Sequence, residues 1–336
     1  MRTTGKWAAI AGLLLVGTLG TKVDGQATGT APGKVPPPAP PPIVLPLTSL
    51  KPEASIDAGG DRHITVTTDA VWVSNRAAGT LARIDPKTHF PGSPVAAGKE
   101  PCQPVVSAFK SLWVAQCGTP GLARIDVSGA DAPPVAVAVS LRQAGPLATG
   151  AGSIWMVTDA AGTLARIDPD TNAAVAEITV PAGVSAITFG LGSVWVTSST
   201  LSSVTRVNGD TNVVVETIAV GRSPLSVAVG EGSVWTMNGG DGTVSRIDPK
   251  TNKVVETIKS GVTAATGTMV VGEGSVWLSA PGTPLTRIDP VTNRMAQQFT
   301  GPVGGPIAIG LKSIWVAATR TAIWRIDPRR VEATRK

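Results

Sequence analysis

The chain has 336 residues, with 38 Gly, 28 Pro, no Tyr and only 15% charged residues, a mixture that excludes a helical bundle, a coiled coil or a disordered polyelectrolyte. A core for this length exceeds the usual span of about 100–200 residues, so it must be built by repetition. Net charge is +6, but much of the basicity is one arginine per repeat, which argues against a nucleic-acid footprint.

From the N-terminus, Arg2 and Lys6 precede an apolar run from Trp7 to Leu19, then small residues at Gly17, Gly20 and Gly25. This is the layout of a secretory signal peptide over residues 1–25. The run is about 13 residues, short of the roughly 20 that span a bilayer as a helix, so cleavage is expected and no transmembrane segment remains after it. Loss of Arg2, Lys6, Lys22 and Asp24 leaves a mature charge of about +4. Residues 26–50 follow as a Pro-rich linker, with Pro36-Pro37-Pro38 and Pro40-Pro41-Pro42 holding it extended.

Residues 51–330 carry a repeat of about 40 residues. One marker is an apolar residue before tryptophan, at Trp72, Trp113, Trp155, Trp195, Trp235, Trp277 and Trp315; the other opens Arg-Ile-Asp or a near copy, at Arg83, Arg124, Arg166, Arg206, Arg246, Arg287 and Arg325. Strand and turn signals alone at this period predict an all-β, seven-bladed β-propeller of four-stranded blades. One copy shows the grammar: Leu225–Val229, a turn at Gly230-Glu231-Gly232, Ser233–Met237, a polar loop to Gly242, Thr243–Asp248, a Pro249–Asn252 turn and Val254–Ile258. The last repeat runs out before its fourth strand. The segment Glu53–Gly59 resembles Val215–Ala219 and is predicted to supply that N-terminal strand and close the last blade, which hides an otherwise exposed edge.

Residues repeated at one phase do one packing job, so both marker series are read as structural: indoles filling the wedges between sheets, arginine stems lying on them. Trp324 falls outside the phase and is read as local packing. Residues 331–336 form a basic tail, and with Arg329, Arg330, Arg335 and Lys336 could touch an anionic surface.

The motif Gly232-Ser233-Val234-Trp235 with Arg246-Ile247-Asp248-Pro249-Lys250-Thr251-Asn252-Lys253-Val254-Val255 resembles bacterial YVTN-type propeller repeats and virginiamycin B lyase-like propellers, over about Ala54 to Pro328. The resemblance implies fold more than function. Lyases of this kind would use a late-blade histidine as base beside a glutamate and a magnesium ion. The two histidines here, His63 and His89, both lie in the first blade, which departs from that pattern.

Cys102 and Cys117 are the two cysteines, one before the first strand of their blade and one after the second, so an antiparallel hairpin brings them to the same end as a disulfide. Ligands are expected at that end, on loops around the channel mouth, where the candidates are His63, Arg62, Asn75, Arg76, Gln103, Gln116, Asp159, Arg222, Asn238, Asp241 and Arg320. A lone histidine there cannot make a zinc site of about four ligands. His89 takes the turn slot held by Asn172 and Asn252 elsewhere. No phosphate loop, nucleophile elbow or His-Glu-x-x-His helix is present, so no catalytic residue, cofactor or metal site is assigned.

The expectation is an exported protein, periplasmic or extracellular, acting as a monomeric, non-catalytic binding module whose loop face holds a protein, peptide or small ligand. The alternative is a lyase- or lactonase-like enzyme with a divalent metal at the channel mouth, which would require at least two carboxylates converging there.

Overall fold

The computed structural model describes residues 41–58, 63–102, 105–127, 135–137, 139 and 141–334. Seven sheets make the ring, built on antiparallel strands, consecutive in the chain in blades 1–5. Blade 5 is the regular case: Pro224–Gly230, Ser233–Asn238, Thr243–Asp248 and Lys253–Lys259. Blade 7 has three strands of its own, and Ala54–Asp57 pairs antiparallel with Ala322–Ile326 as the fourth, in the register Ala54 to Arg325 through Asp57 to Ala322. The N-terminal strand thus closes the ring, as expected.

One segment departs from the reading of residues 26–50 as a linker. Ile43–Pro46 lies parallel on the outer strand of blade 6, Arg294–Thr300, making a fifth strand there, and Leu47 and Leu50 are buried in the same cluster as Trp277 and Phe299. The reason is apolar content: Ile43, Val44, Leu45, Leu47 and Leu50 interrupt the prolines, and an outer edge strand offers unpaired backbone groups. The basic tail is also corrected in part. Pro328–Ala333 is a short helix capped by the Asp327 side chain, with Pro328 in its first turn. Its Val331 is buried, and its Glu332 takes a hydrogen bond from Arg287 at 2.8 Å.

The core lies in the seams between blades. Trp113 and Leu122 of blade 2 pack with Leu147, Ile154 and Met156 of blade 3, and Trp235 and Met237 of blade 5 with Met269, Val276 and Leu278 of blade 6. In blades 2–7 each indole N–H donates to the carbonyl five residues earlier, from 3.0 Å in Trp235 to Gly230 to 3.3 Å in Trp113 to Ala108. The following arginine stacks on the ring, 5.0 Å from the centroid for Arg246 on Trp235, and its Nε donates to the serine two residues before that tryptophan, 2.8 Å for Arg246 to Ser233.

The same guanidinium then reaches the next blade. Arg124, Arg166, Arg206 and Arg246 donate to the side-chain oxygens of Asn172, Asn212, Asn252 and Asn293 at 2.8–3.0 Å. These asparagines sit at φ between 54° and 61°, a left-handed turn position that asparagine tolerates. His89, at φ 64°, replaces asparagine between blades 7 and 1, where Arg325 Nη1 lies 3.0 Å from its Nε2.

Cys102 and Cys117 are bonded, with Cα atoms 5.7 Å apart. The loop spans 15 residues. Replacing both cysteines by serine is expected to lower unfolding free energy by about 3 kcal/mol, the chain-entropy value for such a loop. Urea unfolding of the variant beside the oxidised parent measures it; equal midpoints would mean the hairpin is already held by its ladder.

Candidate functional site

Four of the eleven loop-face candidates are committed to hydrogen bonds within the loops of their own blades. Asn75 accepts from the Ala78 N–H at 3.0 Å. Asp159 accepts the N–H groups of Gly162 and Thr163 at 3.0 Å each and the Thr163 hydroxyl at 2.8 Å, and that hydroxyl above all holds its carboxyl below the usual range. Asp241 takes the Arg222 N–H and the Thr243 hydroxyl. Burial pushes its carboxyl up, but these bonds outweigh it and leave the group below its ordinary value. Asn238 is fully buried, donating to Thr243 and Ser245 and accepting from Thr236.

Three other candidates gather near the disulfide. His63 Nε2 is 3.1 Å from the Cys102 carbonyl, Arg76 pairs with Glu100 at 3.2 Å, and the Gln116 amide accepts from Lys99 N–H and donates to the Ala97 carbonyl. Arg222 donates to the Gly240 carbonyl, and Arg320 is exposed. Arg62 and Gln103 lie outside the described residues. Among the described residues, no three His, Cys, Asp or Glu side chains are grouped to hold a metal ion, and no helix is long and apolar enough to cross a membrane.

A concave feature lies on the opposite face, where the turns between first and second strands and between third and fourth strands collect. A pocket of about 1000 Å³ opens at the seam of blades 1 and 2, with Trp72, Arg83, Phe90, Phe109 and Asp126 among its lining, and with Ile309 and Leu311 of blade 7 at its inner side. At this seam three partners that recur in most of the other seams are missing together. The serine that receives the arginine Nε is Ala70 in blade 1. After Asp126 the chain reads Val127-Ser128-Gly129-Ala130, so blade 2 has no Pro-x-Thr-Asn turn for the arginine of blade 1 to grasp. And Ser107 stands where blades 4, 5 and 1 place Phe189, Val229 and Val66, side chains that press so closely on Gly150, Gly190 and Gly310 that a Cβ at Gly150 would fall 2.0 Å from the Phe189 ring.

Arg83 and Trp72 therefore leave the structural series to which their sequence phase assigns them. Among the described residues, the stacked guanidinium is found in blades 2–7 and not on Trp72. The Arg83 side chain is 42% exposed and turns to Asp69 of its own blade at 2.9 Å, against 10% for Arg287. That bond to Arg83, with one from Thr67, holds the Asp69 carboxyl below its ordinary value. Asp85 is lowered by the N–H groups of Lys87 and Thr88, so both carboxylates are ionised at neutral pH.

Exposed aromatic side chains and left-handed turn residues stand at the rim. Of the four phenylalanines, Phe90 and Phe109 are the exposed ones, at 75% and 41%, and both line this pocket. The first residue of the turn between the first two strands is left-handed and not glycine in blades 2–7 alike, and the second is Gly152, Gly192, Gly232 and Gly274 in blades 3–6 but Lys110 and Lys312, both at φ 56°, in blades 2 and 7. Left-handed backbone without glycine costs about 1–2 kcal/mol per residue, and such strain gathers at functional sites.

Sequence reasoning missed this site because it treated seven repeats as equivalent. The signals were present as departures: Ala70 in a serine slot, no Pro-x-Thr-Asn motif after Asp126, and Phe109-Lys110 in place of an x-Gly pair.

No protein-family model matches the sequence, and no curated protein matches it. Solved structures do share its fold. Streptogramin B lyase matches with a TM-score of 0.68 at 16% identity, over 80% of this chain and 94% of that one. A catalytically inactive virginiamycin B lyase from Staphylococcus aureus with quinupristin matches at 0.69 and 16%, over 80% and 95%. The WD40 β-propeller domain of Doa1 matches at 0.67 and 14%, over 83% and 98%. Identities this low speak for the β-propeller architecture, which serves enzymes and binding modules alike.

Proposed function

We propose that this chain is an exported binding propeller whose ligand sits in the blade 1–2 seam. The observation that carries this reading is the unsealed clamp: in five seams the stacked arginine grasps a turn side chain of the next blade, in a sixth Arg287 reaches Glu332 instead, and at the blade 1–2 seam Arg83 turns to its own blade beside a ligand-sized pocket lined by aromatic, aliphatic and charged side chains. Giving up a packed indole–guanidinium seam costs stability, and strained turns on both flanks cost more; a ligand site accounts for both. Export is supported by the disulfide and by the signal-like leader. The loop face becomes secondary, since its polar groups are mostly spent on hairpins. A lyase- or lactonase-like activity there has less support for the same reason, because Asp159 and Asp241 each serve their own turn.

Thermal unfolding of the full mature chain against a panel of apolar and amphipathic small molecules tests the proposal. A ligand at a hundred times its Kd adds about 2.7 kcal/mol to the folded state, a rise of several degrees in Tm. The Ser107→Ile variant, which restores the seam filler, is expected to abolish that rise. A rise that survives Ser107→Ile would move the site to the loop face, and one produced by a divalent metal alone would favour the enzyme.

A further inference from the structure

The indole of Trp72 lacks the hydrogen bond that its six counterparts keep. Trp113, Trp155, Trp195, Trp235, Trp277 and Trp315 each donate Nε1–H to the carbonyl five residues earlier, at 3.0–3.3 Å. In each of these blades the residue after that carbonyl is left-handed, from Phe109 in blade 2 to Leu311 in blade 7. The corresponding carbonyl in blade 1 belongs to Thr67, and Thr68 after it is not left-handed. That turn is held instead by the Thr67 hydroxyl, which donates to Asp69 at 2.9 Å and accepts from the Ala70 N–H at 3.1 Å. A turn of the other hand points its carbonyls differently, and among the described residues the Trp72 N–H finds no acceptor.

The donor is not sealed away. The described side-chain polar atoms enclosed without a partner are the Ser203 and Thr283 hydroxyls, and Trp72 keeps 5% of its surface exposed where the other six rings keep none. Trp72 lines the seam pocket, and its stacking partner is gone as well, since Arg83 has turned to Asp69. Several charged groups of the lining, by contrast, are already met within the protein: Arg83 and Asp69 by each other, Asp85 by the N–H groups of Lys87 and Thr88, and Asp126 by a partner of its own. An indole nitrogen can only donate, and a nearly buried donor left unmade carries its desolvation cost until an acceptor arrives.

Resting on the binding proposal above, we infer that the seam pocket takes a neutral carbonyl compound on an apolar body, whose oxygen accepts the hydrogen bond of Trp72 Nε1–H. The ligand oxygen stands in for the backbone carbonyl that serves the other six indoles. Phe90 and Phe109 offer apolar contact to the ligand body.

The test is a cycle of two ligands and two proteins on the full chain. Acetophenone carries the carbonyl, and α-methylstyrene has the same shape with a methylene in place of the oxygen. Trp72→Phe keeps an aromatic ring and removes the N–H. In titrations by ligand-observed NMR, Trp72→Phe is expected to weaken acetophenone about fivefold more than α-methylstyrene, the effect of one ordinary hydrogen bond. Any change in packing acts on both ligands and cancels in the comparison. In proton–nitrogen correlation spectra the Trp72 indole signal, assigned by its absence from Trp72→Phe, is expected to move to lower field with acetophenone and not with α-methylstyrene. In the free protein the same N–H is expected to exchange with water roughly tenfold faster than those of the six bonded indoles.

Equal weakening of both ligands by Trp72→Phe, an indole signal that acetophenone leaves in place, or slow exchange of the Trp72 N–H in the free protein overturns the inference. Where Ser107→Ile still abolishes binding of both probes, the pocket remains the binding site and only the carbonyl assignment falls. If neither probe binds, the carbonyl assignment falls, and the ligand panel of the binding proposal decides the seam on its own. Binding that persists in Ser107→Ile removes both.

Discussion

Trp235→Ala is expected to lower unfolding free energy by about 3–5 kcal/mol, the range for removing a large aromatic side chain from a packed core, whereas Trp72→Ala costs roughly half as much. Trp235 is fully buried, donates its N–H to Gly230 at 3.0 Å and carries the Arg246 guanidinium on its face. Its loss would leave a cavity, an orphaned carbonyl and an arginine without its stacking surface. Trp72 has one side on the seam pocket, so its removal enlarges a space that already exists. Urea unfolding of both variants, with midpoint and slope compared, measures the difference. Equal losses would mean that the blade 1–2 seam is packed as tightly as the others, and the site assignment would lose its physical basis.

The second large effect concerns closure. A chain beginning at Lys51 loses the fifth strand on blade 6 together with Leu47 and Leu50, both buried, each worth about 1.5–3 kcal/mol. It should still unfold cooperatively. A chain beginning at Ala58 loses in addition Ala54–Asp57, the buried Ile56 and the Glu53 carboxylate that pairs with Arg325 at 3.2 Å. Blade 7 then ends in the unpaired edge Ala322–Ile326, and an exposed apolar edge strand recruits another chain. The expected result is a loss of the single cooperative transition, with dimers or aggregates seen by light scattering. A monomeric, cooperatively folding Ala58 chain would show that the C-terminal helix, through Arg287 to Glu332 and the Gln297 amide to Val331, holds the ring shut without the closing strand.

Much of the architecture is legible in the residues because each blade writes its packing locally. Serine, tryptophan and arginine recur within about 14 residues of one another, so the period, blade number and strand order follow from spacing. The closing strand was legible for the same reason, since Ser55-Ile56 repeats the Thr217-Ile218 pattern. The His89 slot was too, because a left-handed turn residue must fill it. The disulfide followed from hairpin geometry. The fifth strand did not: parallel pairing of Ile43–Pro46 with Gln297–Thr300 joins residues about 250 apart, and no local pattern announces it.

The sequence by itself determined the repeated part of this protein: seven four-stranded blades, indoles in the wedges and arginines upon them, closed by the first strand. Only the tertiary structure decided where the repetition opens into a pocket. Ala70, Ser107 and the altered stretch after Asp126 are separate, minor departures along the chain, yet they are the three missing partners of a single clamp. That clamp spans two blades, because Arg124 finds Asn172 and Arg246 finds Asn293 more than 40 residues away. A broken contact between blades is invisible until the ring is closed and the neighbours stand side by side.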